Sequence, residues 1–142
     1  MALLQHYLTL QAQQRGDRPA VVMDTECLTY GELDDESNQL ARCLVDLGCR
    51  RGDRIGLFLP KSPVAILSML GALKADCVYV PIDISCPAPR VCKMVEAIEP
   101  RGILAAPEAC HLLDQILATD ATRAGHTCIG YLGNETLAGD NF

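Results

Sequence analysis

The chain has 142 residues, of which 49% are apolar and 21% charged; this excludes global disorder and allows one domain, or part of one, with a real core. A net charge of −6 argues against a nucleic-acid or anionic-membrane surface, and no apolar run approaches the length of a membrane span. The opening Met1-Ala2-Leu3-Leu4-Gln5-His6 has no basic stretch of the kind that starts a secretory leader, so a cytoplasmic location with reduced thiols is expected. Cys27, Cys43, Cys49, Cys77, Cys86, Cys92, Cys110 and Cys128 form no C-x-x-C pair, which removes the common zinc and thioredoxin spacings. They read as small packing residues, with a disulfide framework as the alternative.

Leu3, Leu4, Tyr7 and Leu8 lie at helical spacing, and Gly16 to Pro19 ends that helix. Residues 20–23 and 27–30 read as two short strands around an Asp24-Thr25-Glu26 turn, a hairpin. Thr29 and Glu32 have the spacing of a capping box. The helix they open carries Leu33, Leu40, Leu44 and Leu47 on one face, with Ser37 in the gap, and Gly48 closes it. Glu32, Asp34, Asp35 and Glu36 crowd its first turns. Consecutive helix positions point in different directions, so this cluster reads as a solvated, dipole-matched start and not as a metal site.

A turn at Arg51-Gly52-Asp53 leads to an apolar run over 55–59, as expected of a strand covered on both faces. Ser62 and Pro63 start the next helix as N-cap and first residue; Ile66, Met69, Leu70 and Leu73 predict its buried stripe. Residues 78–80 read as the next buried strand. After a loop marked by Pro81, Pro87 and Pro89, Val91, Met94, Val95 and Ile98 form a helical face that Pro100 stops. Residues 103–105 read as a strand. Pro107 opens a helix with Leu112, Leu113, Ile116 and Leu117, and Thr127-Cys128-Ile129 reads as a last strand. Residues 133–142 have no periodicity and read as an irregular tail. Strands separated by single helices imply parallel βαβ units, hence an α/β fold with three layers, α/β/α, around a mostly parallel sheet.

Ligands of such sheets bind at the carboxyl ends of the strands, yet the sequence holds no G-x-G-x-x-G, no G-x-x-x-x-G-K-[ST], no G-x-S-x-G and no H-E-x-x-H. His6, His111 and His126 lie far apart and read as surface or packing residues. Asp83 ends a strand, where it either faces a cleft or caps the loop backbone. Lys61 and Lys74 sit at helix ends, where solvent and the helix dipole account for them. No residue is assigned as catalytic, cofactor-binding or metal-binding.

One series of motifs goes further. Leu28-Thr29-Tyr30-Gly31-Glu32-Leu33 is followed by Gly52-Asp53-Arg54-Ile55, Leu59-Pro60-Lys61-Ser62-Pro63, and the stretch Leu73-Lys74-Ala75-Asp76-Cys77-Val78-Tyr79-Val80-Pro81-Ile82-Asp83. In order and spacing, over about residues 5–118, this resembles the N-terminal segment of the adenylate-forming superfamily: amino-acid-adenylating domains, acyl-CoA synthetases and luciferases. The wording of the longest stretch is most similar to adenylation domains of nonribosomal peptide synthetases. The resemblance implies an ATP-dependent carboxylate-activating ligase that forms an acyl- or aminoacyl-adenylate and pyrophosphate, uses ATP and Mg, and passes the acyl group to a thiol.

Residues 1–132 are then expected to be a partial N-terminal subdomain, and 133–142 a tail. The family's Ser/Thr/Gly-rich phosphate loop and catalytic lysine have no counterpart in this sequence, so the segment alone is expected to be inactive and to bind no cofactor. Its expected partner is the remainder of the enzyme, in cis or in trans. A split synthetase completed by a second chain and a non-catalytic binding module are the alternatives. Two residues depart from the family's pattern: Asp76 stands where glycine is usual, and Ile84 where proline is common. Asp tolerates left-handed backbone better than most residues, so the turn at Asp76 is expected to form at some cost.

Overall fold

Local signals fix the helix ends. In the computed structural model, which describes residues 3–119 and 128–131, α1 spans Leu4–Arg15, and the hairpin strands β1 (Pro19–Met23) and β2 (Glu26–Thr29) lead into α2 (Tyr30–Asp46). Thr29 and Glu32 form the expected capping box. The Thr29 hydroxyl accepts from the Glu32 amide at 3.2 Å, and the Glu32 carboxylate accepts from the Thr29 amide at 2.8 Å. The bond from the Thr29 amide, with a second from the Thr29 hydroxyl to the same carboxylate at 2.8 Å, holds the exposed Glu32 carboxyl below its ordinary value. At the other end, Gly48 takes φ +85°. Its amide donates to Val45 at 2.9 Å while the Cys49 amide donates to Leu44 at 2.9 Å. The two bonds together form a Schellman cap.

The chain continues as β3 (Arg54–Phe58), α3 (Pro63–Lys74), β4 (Val78–Pro81), α4 (Ala88–Ile98), β5 (Gly102–Ala105), a 3₁₀ turn at Pro107–Ala109, α5 (Cys110–Leu117) and β6 (Cys128–Tyr131). Ser62 and Pro63 start α3 as expected, with the Ser62 hydroxyl accepting from the Ala65 amide at 3.2 Å. The end of α3 repeats the Schellman pattern. The Asp76 and Cys77 amides donate to Leu73 at 3.1 Å and Ala72 at 2.9 Å, with Asp76 at φ +58°. The left-handed turn therefore does form on a non-glycine residue.

Four strands make one sheet in the order β4-β3-β5-β6, every pairing parallel. The hairpin is a separate antiparallel pair. Alternation along the central strands divides the core in two. Ile55, Leu57 and Leu104 face α2 and α3 together with Leu33, Leu40, Leu44 and Leu67. Phe58, Ile103 and Ala105 face α4 and α5 together with Val91, Val95, Leu113 and Ile116. The expected three-layer α/β/α arrangement follows directly from this split.

Several burial expectations are corrected. The residues 78–80 read as a buried strand form an edge: β4 pairs only with β3 among the described strands, and Val78 is 49% exposed. On α3 the buried side is the small one, Ala65, Ser68, Gly71 and Ala72 along with Leu67. Ile66, Met69, Leu70 and Leu73 instead line a half-open groove beside α1. The cause is the closeness of α2: a Cβ at Gly71 would lie 2.7 Å from Leu40 Cδ2, so only small residues fit at that contact. On α1 only Leu8 is buried, and on α5 Leu117 is exposed. Thr127, His126 and the tail at 133–142 lie outside the described residues.

Candidate functional site

The sheet order reverses at its centre. From β3 the chain moves outward to β4, then returns past β3 to form β5 and β6 on the other side. The carboxyl ends of β3 and β5 are therefore a topological switch point, where the loops separate and leave a crevice. A cleft of about 430 Å³ opens there. Its walls are the Leu59–Ser62 turn after β3, the residues Ala106 to Glu108 after β5, and the hairpin tip at Asp24, Thr25 and Glu26.

The geometry of each wall is local. The tip turns through Asp24 at φ +50°. Ser62 is extended at φ −163° and its hydroxyl donates to the Pro60 carbonyl at 3.1 Å; the bond sets the turn that brings Lys61 to the cleft. Glu108 sits in the 3₁₀ turn that Pro107 starts. Among the described residues the cleft presents one ammonium, Lys61, and the carboxylates of Asp24, Glu26 and Glu108 on an otherwise mixed surface. It is a recess with charged rims, and among the described residues no nucleophile is paired with a base there.

The other titratable residues singled out in the sequence lie elsewhere. Asp83 accepts from the Ser85 amide at 2.9 Å and the Ser85 hydroxyl at 2.7 Å, so it caps the loop after β4. Those two bonds, with Arg90 adding attraction, hold its carboxyl below the usual range. His6 is exposed on α1, and His111 is exposed on α5 with its Nε2 at 3.0 Å from Gln115 Nε2. Lys61 reaches the cleft, but none of Asp83, His6, His111 or Lys74 joins it there.

The acidic start of α2 is not uniformly solvated, and Lys74 is not a solvated helix-end cation. Asp34 and Lys74 form an ion pair at 2.7 Å, with side chains 13% and 8% exposed. Lys74 Nζ also donates to the Asp34 carbonyl at 2.9 Å, and the Thr9 hydroxyl donates to Asp34 Oδ1 at 2.8 Å. Burial opposes ionisation of Asp34, but the bonds from Lys74 and Thr9, the Lys74 charge and Asn38 outweigh it and keep the carboxyl below its ordinary value. Glu36 moves the other way, raised by burial and by the nearby Glu32. One signal for Asp34 was present in the sequence: it shares the helical face of Ser37 and Ala41, both buried. Its partner, 40 residues away, left none.

Among the described residues no group of three His, Cys, Asp or Glu side chains is placed to hold a metal ion, and the sequence has no Ser/Thr/Gly-rich loop. Among the same residues no helix is long and apolar enough to cross a membrane.

Comparison with known proteins gives this architecture its relatives. The profile of the AMP-binding enzyme family matches residues 8–139. Nonribosomal peptide synthetase 8 of Aspergillus fumigatus is 38% identical over 101 residues, covering 71% of this chain and 1% of that protein. A dimodular nonribosomal peptide synthase of Bacillus subtilis is 36% identical over 115 residues, 81% of this chain and 5% of its own length. Among solved structures, the N-terminal domain of FACL13 from Mycobacterium tuberculosis superposes with a TM-score of 0.85 at 25% identity, covering 98% of this chain and 36% of that one. The chain spans a small part of the curated relatives it matches.

Proposed function

This chain belongs to the family of AMP-binding enzymes, and from that premise we propose that it is the N-terminal scaffold of an amino-acid-adenylating ligase. The complete enzyme joins the carboxylate of an amino acid to the α-phosphate of ATP, with magnesium, releasing pyrophosphate, and passes the aminoacyl group to a thiol. The observation that carries this reading is the agreement between the family match and the peptide-synthetase relatives over most of the chain.

Residues 1–132 serve as part of the N-terminal subdomain and 133–142 as a tail, in a cytoplasmic protein with neither a nucleic-acid nor a membrane partner. The segment supplies the sheet, its two helical layers and the cleft at the switch point. The groups that stabilise charge at the reacting phosphate come from the rest of the enzyme. A second reading, one chain of a split synthetase, draws support from the side of β4 that no described strand covers and from its exposed Val78, since an unpaired strand edge favours a pairing partner.

Amino-acid-dependent ATP–pyrophosphate exchange tests the proposal. The pure 142-residue chain is expected to give none, and exchange by it would overturn the scaffold role. The same segment, spliced in place of its counterpart in the Bacillus subtilis synthase, is expected to keep the host's exchange activity. A folded chimera without exchange would refute the assignment.

A further inference from the structure

Helix α1 has the smallest buried share of the described α-helices, one residue of 12 against two of 11 on α4 and three of eight on α5. Only Leu8 is buried, and the start of the helix is held by one long side-chain bond, from the Leu3 amide to His6 Nδ1 at 3.5 Å. Leu4 and Tyr7 remain 64% and 56% exposed. Two side-chain bonds supplement Leu8: Gln5 Nε2 donates to the Leu73 carbonyl at 3.2 Å, and the Thr9 hydroxyl donates to Asp34 at 2.8 Å. At its far end the chain is fastened by backbone bonds, Gly31 to Gly16 and Tyr30 to Arg18, each at 2.9 Å.

Leu8 packs into the core cluster of α2 and α3, but the ion pair under α1 does not depend on α1. If Thr9 departs, Asp34 keeps Lys74 and Asn38, so no buried charge is orphaned. Beyond the pair lies the apolar side of α3. Met69, Leu70 and Leu73 with Tyr30 and Tyr79 form one wall of a groove of about 320 Å³ whose other wall is α1. A 12-residue helix released into water has no stability of its own, so undocking and melting of α1 occur together.

We propose that α1 is a detachable strap: it opens as a unit from a body that stays folded, and its release uncovers the apolar side of α3. This is a property of the segment itself and does not rest on the adenylation reading. The few buried contacts and the exposed apolar side chains are what low local stability requires.

Amide hydrogen exchange of the full chain, measured across sub-denaturing urea, tests it. Amides of α1 are expected to exchange faster than those of α2, α3 and β3, with a small urea dependence that marks local opening. Thr9→Val is expected to speed α1 exchange by about tenfold, the loss of one hydrogen bond to a charged group, while α2 to α5 keep their protection. Thr9→Ser is expected to restore it. Anilinonaphthalene sulfonate fluorescence should rise in Thr9→Val as the α3 side is uncovered. The proposal is overturned if α1 shares the protection and urea dependence of β3, if Thr9→Val speeds all elements equally, or if that variant unfolds.

Discussion

Replacing Asp76 with glycine is expected to stabilise this protein, against the usual direction of glycine substitutions. Asp76 follows α3 at φ +58°, a conformation that costs an L-residue roughly 1–2 kcal/mol, with Asp towards the low end. Its exposed carboxylate also stands at the negative end of the α3 dipole, an opposition of about 0.3–1 kcal/mol. Glycine removes both penalties. It adds about 0.4–1 kcal/mol of disadvantage through the greater freedom of the unfolded chain. The balance is a gain of about 0.5–1 kcal/mol, or a Tm rise of roughly 2–3 °C for a chain of this size. The bond from the Gly52 amide to the Asp76 carbonyl, 2.8 Å, is backbone to backbone and survives the change. Asp76→Asn separates the two effects, because it removes the charge and keeps a side chain in the left-handed region. Its smaller gain should shrink in high salt, whereas the glycine variant should keep the backbone part. Thermal and urea unfolding followed by circular dichroism measure all three proteins. The reasoning fails if Asp76→Gly melts at or below the parent, or if Asp76→Asn accounts for the whole gain.

Gly71→Ala is expected to destabilise by about 1–3 kcal/mol, because the added Cβ would lie 2.7–3.0 Å from three Leu40 side-chain atoms at the α2–α3 contact; an unchanged urea midpoint would contradict the packing argument. Lys74→Met leaves Asp34 buried without its cation and should cost about 3 kcal/mol, part of which Asp34→Asn in the same chain should recover. Since folding holds the Asp34 carboxyl below its ordinary value, its contribution is complete above about pH 4 and fades as pH falls through the lower folded value. Acid titration of stability should therefore show a shallower acid limb in Lys74→Met. Cys77 is raised to about 11 by burial first, then by Cys49, Asp53 and Asp76. Its neutral thiol favours the folded state below about pH 9, and that contribution is lost as pH rises through 11. At neutral pH, iodoacetamide mapped by mass spectrometry should label the exposed Cys27 long before Cys77; equal rates would contradict the burial.

Short-range physics was legible in the sequence. The capping box at Thr29 and Glu32, the Ser62-Pro63 start, the left-handed cap at Gly48, and the doubly buried run at β3 each depend on residues within a few positions of one another, whereas the left-handed turn at Asp76 was expected only from the family resemblance. The ordered motifs from Leu28 to Asp83 identified the family, because they were preserved in register over a long stretch. What the tertiary structure alone decided were relations between distant segments. The close approach of α2 at Leu40 selected the small side of α3 for burial, and so turned its larger apolar residues towards α1. The sheet order put β4 at an edge and opened the cleft between the ends of β3 and β5. Asp34 and Lys74, unremarkable in their own helices, became a buried pair across 40 residues of sequence. A residue's neighbours along the chain set its backbone, whereas its burial and its partners depend on which surfaces meet, and local pattern does not encode that.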